Sequence, residues 1–303
     1  MTFDATVEAA TGEWGSTRKP VVVAVDGSER NKSAVAWAAA EAAAVGADLV
    51  LVTAVEDSAV PVPHFSVHEQ EGQAQDMLGR VRHEAQHVVR ETEVSTDVEA
   101  GNVSDVLLRK ADQARVIVVG KRGVSGFTRI LVGSTSIAVA GRSPVPVAVI
   151  PPSWKQEDHS TAPLVVGIDP YRPHHRLLHL AFSRAQRLGV PLVPVHGWDV
   201  PAMYSWDAPS VHAVTEDWAR KAHEEFDKVL AVWRERFPDV EVRATYRRLS
   251  PAQALLEAAD GAQMLLLGRH QHTRTHGFNV GSVARAVLHH AECPVLVVPT
   301  EDE

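Results

Sequence analysis

The sequence predicts an α/β protein built from two tandem, doubly wound, Rossmann-like domains, each with a five-stranded parallel sheet. Three observations predict it. Short β-branched runs alternate with longer helical segments, the arrangement that makes parallel sheets covered on both faces. The alternation is written twice along one chain of 303 residues, a length suited to two domains of ordinary size. The composition, 45% apolar and 22% charged, is that of a globular protein.

The repeat is direct. KPVVVAVDGS from residue 19 matches APLVVGIDPY from 162, DQARVIVVGKRG from 112 matches DGAQMLLLGRHQ from 260, and VGSTSIAVAGRSPVPVAVIP from 132 matches VGSVARAVLHHAECPVLVVP from 280. Gly120 maps to Gly268, Gly133 to Gly281, Ser134 to Ser282 and Pro151 to Pro299, all at an offset of 148. The boundaries follow: a mobile tail over 1–18, a first domain over 19–151, a Pro-bracketed polar linker over 152–161, and a second domain over 162–300.

Within the first half, VVVAVD is a buried strand. SERNKSAVAWAAAEAAAVG is a helix with a Ser28 N-cap and Gly46 at its close. ADLVLVTAV is a second strand, a helix runs from about Glu69 to Glu91, and VSTDVEA is a third strand. NVSDVLLRKADQ is a helix capped by Asn102, ARVIVVG a fourth strand, STSIAVAGR a short helix and VPVAVIP a last strand. The second half repeats this order.

Several functions are excluded. A formal charge of −8 argues against nucleic acid as a partner, since phosphate tracking needs a basic face. No apolar run reaches the roughly 18 residues of a membrane span. The N-terminus lacks the cationic start and apolar core of a signal peptide, so the expected location is cytoplasmic. One cysteine, Cys293, rules out a disulfide framework or a Cys-rich zinc site.

The stretch GKRGVSGFTRILVGS, residues 120 to 134, carries the functional signal. Its spacing is Gly120-x-x-Gly123, nine residues, then Gly133-Ser134-Thr135 opening a helix. Gly120 ends a strand, so the loop lies at the carboxyl edge of the sheet, where such folds bind ligands. Glycines let backbone approach a ligand closely, and a helix N-terminus offers bare N–H groups to phosphate. Ser134 and Thr135 add hydroxyls; Lys121, Arg122 and Arg129 add charge. Asp26, after the first strand, can accept a hydrogen bond from a ribose hydroxyl or an adenine amine. In the second half Gly123 becomes Gln271, Gly126 becomes Arg274 and Thr135 becomes Val283. The fold therefore does not need those glycines, and their presence in the first half asks for another reason.

The order VVVAVDGS, GNVSDVLL, VIVVGKRGVSGF, GSTSIAVA, PVPVAVIP resembles the universal stress protein family, and the glycine spacing resembles the signature of its ATP-binding class. The resemblance covers nearly the whole chain as a tandem of two such domains. It implies a strand order 3-2-1-4-5 and ATP as ligand, with Mg²⁺ among the phosphates. It implies Ala24 and Asp26 at the nucleoside, the Ala54 backbone beside adenine, and Gly120, Lys121, Arg122, Gly123, Gly126, Gly133, Ser134 and Thr135 about the phosphates. A weaker second site would use Gly167, Asp169, Gly268, Gly281 and Ser282. There Gln271 departs from the signature, and Leu249 stands where the first half has Gly101. It also implies pairing through the last strands, within the chain and onward to a homodimer, and a regulatory part in stress adaptation.

Two other classes stay open at this point. One is an adenylating or ATP-pyrophosphatase enzyme on a related sheet, but Val25-Asp26-Gly27-Ser28-Glu29 lacks the double glycine of a pyrophosphate grip. The other is an interaction module holding another adenine nucleotide such as cyclic AMP. No nucleophile with its base is visible, so any ATP hydrolysis is expected to be slow.

Remaining motifs read as structure. His83-Glu84-Ala85-Gln86-His87 has the zinc-protease spacing, but Arg90 stands where an extended motif needs Gly. The repeat has no counterpart, and an exposed helix face is the reading. His270, His272 and His276 fall in the degenerate loop; Trp198, Tyr204 and Trp206 read as packing. Asn31-Lys32-Ser33 is a glycosylation sequon. No metal site is assigned.

Overall fold

The computed structural model describes residues 19–55, 67–121, 132–199, 208–269 and 280–299. The first half contains β1 (Val21–Ala24), α1 (Lys32–Val45), β2 (Leu49–Val55), α2 (Val67–Gln86), β3 (Val94–Ala100), α3 (Val103–Ala111), β4 (Val116–Gly120), α4 (Ser134–Arg142) and β5 (Val147–Ile150). The second contains β6 (Leu164–Gly167), α5 (His175–Leu188), β7 (Leu192–Gly197), α6 (Ala208–Arg236), β8 (Thr245–Arg247), α7 (Pro251–Ala258), β9 (Met264–Arg269), α8 (Ser282–His290) and β10 (Val295–Pro299).

Strands β1, β4, β9 and β10 are almost wholly buried, as runs of Val, Ile and Leu between two helical layers should be. The expected helix ends hold where a local signal sets them. Gly46 closes α1 at φ 63° and Gly189 closes α5 at φ 64°, the left-handed turn that glycine adopts without strain. The Asn102 side chain accepts from Ser104 N at the start of α3.

Two expectations need correction. Ser28 does not cap α1: its hydroxyl turns back to Asp26 Oδ1 at 2.7 Å, and a 3₁₀ turn over Glu29–Asn31 precedes the helix. The second helix ends at Gln86, not near Glu91. There His87 N donates to Glu84 O and Val88 N to Ala85 O, three-residue closures that tighten and stop a helix.

The ten strands form one sheet in the order β3-β2-β1-β4-β5-β10-β9-β6-β7-β8. Each half is thus internally parallel with order 3-2-1-4-5. The halves join through β5 and β10, which pair antiparallel with Val295 opposite Val149 and Val297 opposite Val147. The two carboxyl edges therefore point to opposite sides of the continuous sheet. With β5 and β10 consumed, a homodimer would have to use another surface.

Side chains fasten the join. Glu41 on α1 and Arg184 on α5 are both buried and form a two-pronged pair at 2.9 and 2.8 Å. The Arg184 guanidinium also lies 5.4 Å over the Trp37 ring, a cation–π contact. Burial alone would push the Glu41 carboxyl up, but Arg184, Arg187 and Arg115 around it hold it below its ordinary 4.5. A second fastening is reciprocal. Lys121 follows β4 and Arg269 ends β9, at equivalent repeat positions. Lys121 Nζ donates to Ala291 O, just past α8, at 2.6 Å. Arg269 donates to Gly141 O and Ser143 O at the end of α4, at 2.7 Å each. Each half thus puts a cation on the negative end of the other half's helix.

The linker is built in rather than loose: Trp154 is buried and stacks on His159 with ring centroids 4.0 Å apart. Gln263 Nε2 donates to His159 O and Ser160 O.

Two stability outcomes follow. Glu41→Leu strands the buried Arg184 cation and should cost about 3 kcal/mol in urea denaturation, with Glu41→Leu/Arg184→Leu recovering most of the loss. A folded carboxyl held low stabilises above its unfolded pKa and loses that contribution as pH falls through its folded one. The gap between wild type and Glu41→Leu should therefore be full above the unfolded pKa of 4.5 and shrink as pH falls below it, through the lower folded pKa. Equal stability of the single variant at neutral pH would show that the pair does not hold the join. Arg269→Met abandons two buried carbonyls and should cost about 2 kcal/mol by the same measurement.

Candidate functional site

At the carboxyl edge of the first half, the adjacent strands β1 and β4 deliver Asp26 and Gly120 side by side, their registers locked by Val21–Val116 and Val23–Val118 pairing. Past β1 the chain turns sharply. Ser28 N and Oγ both donate to Asp26 Oδ1, at 2.9 and 2.7 Å. Oδ2 keeps no partner among the described residues. The Ala24 carbonyl takes Asn31 Nδ2 at 3.0 Å, and Asn31 is buried. Its amide is thus part of the turn that presents Asp26, not an open sequon. Gly27 follows at φ 72°, against Met77 of α2.

Beyond β4, Gly120 O accepts from Ser136 Oγ at 2.7 Å, and Gly133 N donates to Lys121 O at 2.8 Å. These two bonds pin the N-terminus of α4 to the end of β4. Ser134, the first helical residue, is exposed and Thr135 half-buried; no acidic residue stands in the first turn. Ala54 lies near the end of β2, paired with Glu99.

The expected residues Asp26, Ala24, Ala54, Gly120, Gly133, Ser134 and Thr135 thus sit on one edge of the first half. Lys121 starts there too, but its ammonium is committed to the Ala291 carbonyl of the second half. That contact gives it a place in the interface. Arg122, Gly123, Gly126 and Arg129 lie outside the described residues, as do the tail 1–18, Tyr204, Trp206, His270, Gln271, His272, Arg274 and His276. Ser136 and Asn31 were missed as site-building residues. The repeat held the signal for both: their counterparts are Ala284 and His174, so these anchors belong to the first half alone.

The second half differs in its backbone. Gly281 precedes α8 at φ 77° whereas Gly133 precedes α4 at φ −72°. Gly197, the counterpart of Ala54, is pressed by α7: a Cβ there would stand 2.8 Å from Pro251 Cα and 2.8 Å from Ala254 Cβ. Gly167, the counterpart of Ala24, is similarly covered by Leu255 and Leu267. Where the first half accommodates two methyl groups, the second has drawn a helix down onto the sheet. Gly101, at φ 125° before α3, is Leu249 here, which disfavours the same backbone turn. Asp169 is exposed and accepts from Tyr171 N. Beyond it Trp198 stacks on Tyr246 at 6.1 Å, and Arg248 lies 5.6 Å over Trp198. Burial pushes the Tyr246 hydroxyl up to about 12, and it donates to Ala219 O. Trp198 is therefore packing, as expected.

His83 and His87 meet edge to face at 5.1 Å on an exposed surface, and α2 stops before His87. Among the described residues no group of three His, Cys, Asp or Glu side chains could hold a metal ion. Burial pushes the Cys293 thiol up to about 12, so it is no nucleophile near neutral pH. Among the described residues no helix is long and apolar enough to cross a membrane.

Comparison with known proteins identifies the scaffold. The model of the universal stress protein family matches residues 17–151 and again 161–299. A universal stress protein of Mycolicibacterium smegmatis is 32% identical over 292 residues, covering 93% of this chain and 98% of that protein. One of Mycobacterium tuberculosis is 32% identical over 304 residues, covering 93% and 95%. The crystal structure of a universal stress protein from Archaeoglobus fulgidus superposes with a TM-score of 0.68 at 18% identity, over 94% of this chain and 98% of that one; at that identity the likeness speaks for the fold. With two family domains spanning its two repeats, the chain belongs to the universal stress protein family.

Proposed function

We propose that the protein is a regulatory, ATP-binding member of its family in which the first half holds the nucleotide and the second does not. The observation that carries this reading is Gly133. Its φ of −72° suits any residue, and a Cβ on it would meet only ordinary contacts, Ser136 Oγ at 3.6 Å and Lys121 O at 3.7 Å. Neither the backbone nor the described neighbours ask for glycine there. A bare backbone at a helix N-terminus is what a phosphate group asks for. Gly281, by contrast, needs its glycine for its own φ of 77°.

The residues present fit the ligand. Asp26 Oδ2 suits a ribose hydroxyl or an adenine amine. The N-terminus of α4, with Ser134 and Thr135, suits phosphate oxygens, and their hydroxyls suit Mg²⁺, which would neutralise phosphate charge. In the second half the approach of α7 to Gly197 closes the place that adenine would occupy beside β7.

The first test is to denature protein purified without added nucleotide and to count the released small molecules by chromatography and mass spectrometry. About one ATP per chain is expected from one intact and one closed site. Cyclic AMP in its place would change the ligand, and an empty protein that ignores added ATP would remove the reading. In calorimetry Gly133→Ala should weaken ATP roughly tenfold or more without lowering the melting temperature, and Asp26→Ala should weaken it comparably. Lys121→Met should lower stability and leave ATP affinity within about twofold. If Lys121→Met abolished binding and Gly133→Ala did not, the site would have been misassigned.

A further inference from the structure

A cleft of about 150 Å³ opens where the amino edge of the first half meets the start of α5 in the second. Its walls include Lys19, Asp112 and Arg115 from the first half, Pro144 and Val145 ahead of β5, and Arg176 from the first turn of α5. It lies across the sheet from Asp26 and Gly120, since Arg115 immediately precedes β4 and Gly120 ends it.

Its walls carry three cations, Lys19, Arg115 and Arg176, and one carboxylate, Asp112. Lys19 Nζ rests on the backbone carbonyl of Asp112 at 3.1 Å, a contact that neutralises nothing. Arg115 is half-buried, and its guanidinium makes no hydrogen bond to another described residue. The nearest buried carboxylate is already taken: Glu41 holds Arg184 with both oxygens and has Arg187 at 3.6 Å. Burial pulls the Arg115 pKa down and Arg184 adds to that, with Glu41 opposing. A cation in that position gains from an added anion. Three cations against one carboxylate on the walls of a small cleft stand out in a chain of net charge −8.

The tandem repeat supplies its own comparison. At the equivalent place across the pseudo-two-fold axis, Arg115 is replaced by Gln263, Arg176 by Ser33 and Lys19 by Ala162. There the neutral side chains are satisfied within the chain: Gln263 donates to His159 O and Ser160 O, and Ser33 Oγ to Pro152 O. The linker fills that place. At the first place the corresponding side chains are cationic.

We propose that this cleft binds a small multivalent oxyanion, with phosphate or carboxylate groups, which bridges Arg115 and Lys19 of the first half to Arg176 of the second. The space equals about five waters, enough for a pyrophosphate or a tricarboxylate and too little for a nucleoside. Guanidinium forks suit either group. The proposal is independent of the nucleotide reading.

The test is calorimetric titration of the full chain, without nucleotide, with pyrophosphate and separately with citrate. One anion per chain is expected, weakened roughly tenfold or more by Arg115→Gln and by Arg176→Gln and unchanged by Gly133→Ala. Tighter pyrophosphate assigns phosphate chemistry; tighter citrate assigns carboxylate chemistry. Absence of binding of both at millimolar concentration overturns the proposal. So does binding that survives both arginine changes, or that Gly133→Ala removes, since that anion would sit in the glycine loop. Should Arg115→Gln lower the melting temperature by itself, Lys19→Gln at the cleft rim and Arg176→Gln carry the same comparison.

Discussion

The antiparallel ladder between β5 and β10 sets the geometry of everything else. A parallel βαβ sheet has two unlike edges and an exposed last strand, and an apolar last strand such as VAVI cannot be left unpaired at little cost. Joining two copies through these strands hides both. The join also inverts one half against the other, so the carboxyl edge of each meets the amino edge of its neighbour. Only in that arrangement can Lys121 and Arg269, both leaving carboxyl ends, reach helix C-termini of the opposite half. The same inversion brings the first turn of α5 over the amino edge of the first half and places Arg176 beside Arg115.

The joint is charged as well as apolar. A buried Glu41–Arg184 pair is weak evidence of net stability, because desolvation offsets much of its Coulomb energy. Its directional value is greater. Two parallel hydrogen bonds between helices of different halves, with Trp37 beneath the guanidinium, admit one docking geometry and penalise others. An apolar contact of the same size would tolerate sliding along the α1–α5 seam.

How much of this was legible in the sequence depends on range. The repeat, the strand runs, the Gly46 close and the Asn102 cap are local signals, and they hold. The end of α2 was placed too far along, because Val88 and Val89 continue an apolar pattern after the hydrogen bonding has already tightened to a stop. Ser28 looked like a cap because the residue type is right, yet Asp26, two residues back, competes for its hydroxyl and wins with a charge-assisted bond. Lys121 sits in a glycine loop, which points to phosphate and gives no hint of its contact across the join. Its partner is 170 residues away, and no local pattern carries that. Glu41 and Arg184, single charges on helices, gave no sign that they were buried.

The two halves also show what each position is for. Had both kept glycine at every loop position, fold and ligand could not be separated as causes. They have diverged, and in opposite directions. The first half keeps Gly133 where its backbone does not need it and puts methyl groups at Ala24 and Ala54, where a helix held off the sheet leaves room. The second keeps Gly281, Gly167 and Gly197 where strain or close packing needs them, and lowers α7 onto β7. The first pattern is what the proposed nucleotide would require; the second is that of a surface packed upon itself. At the amino edges the halves differ in charge: Gln263 and Ser33 bond to the linker, and their counterparts Arg115 and Arg176 line a cleft. A duplicated fold that bonds one copy of a place to its own linker and lines the other with cations has there the charge that the proposed anion would use.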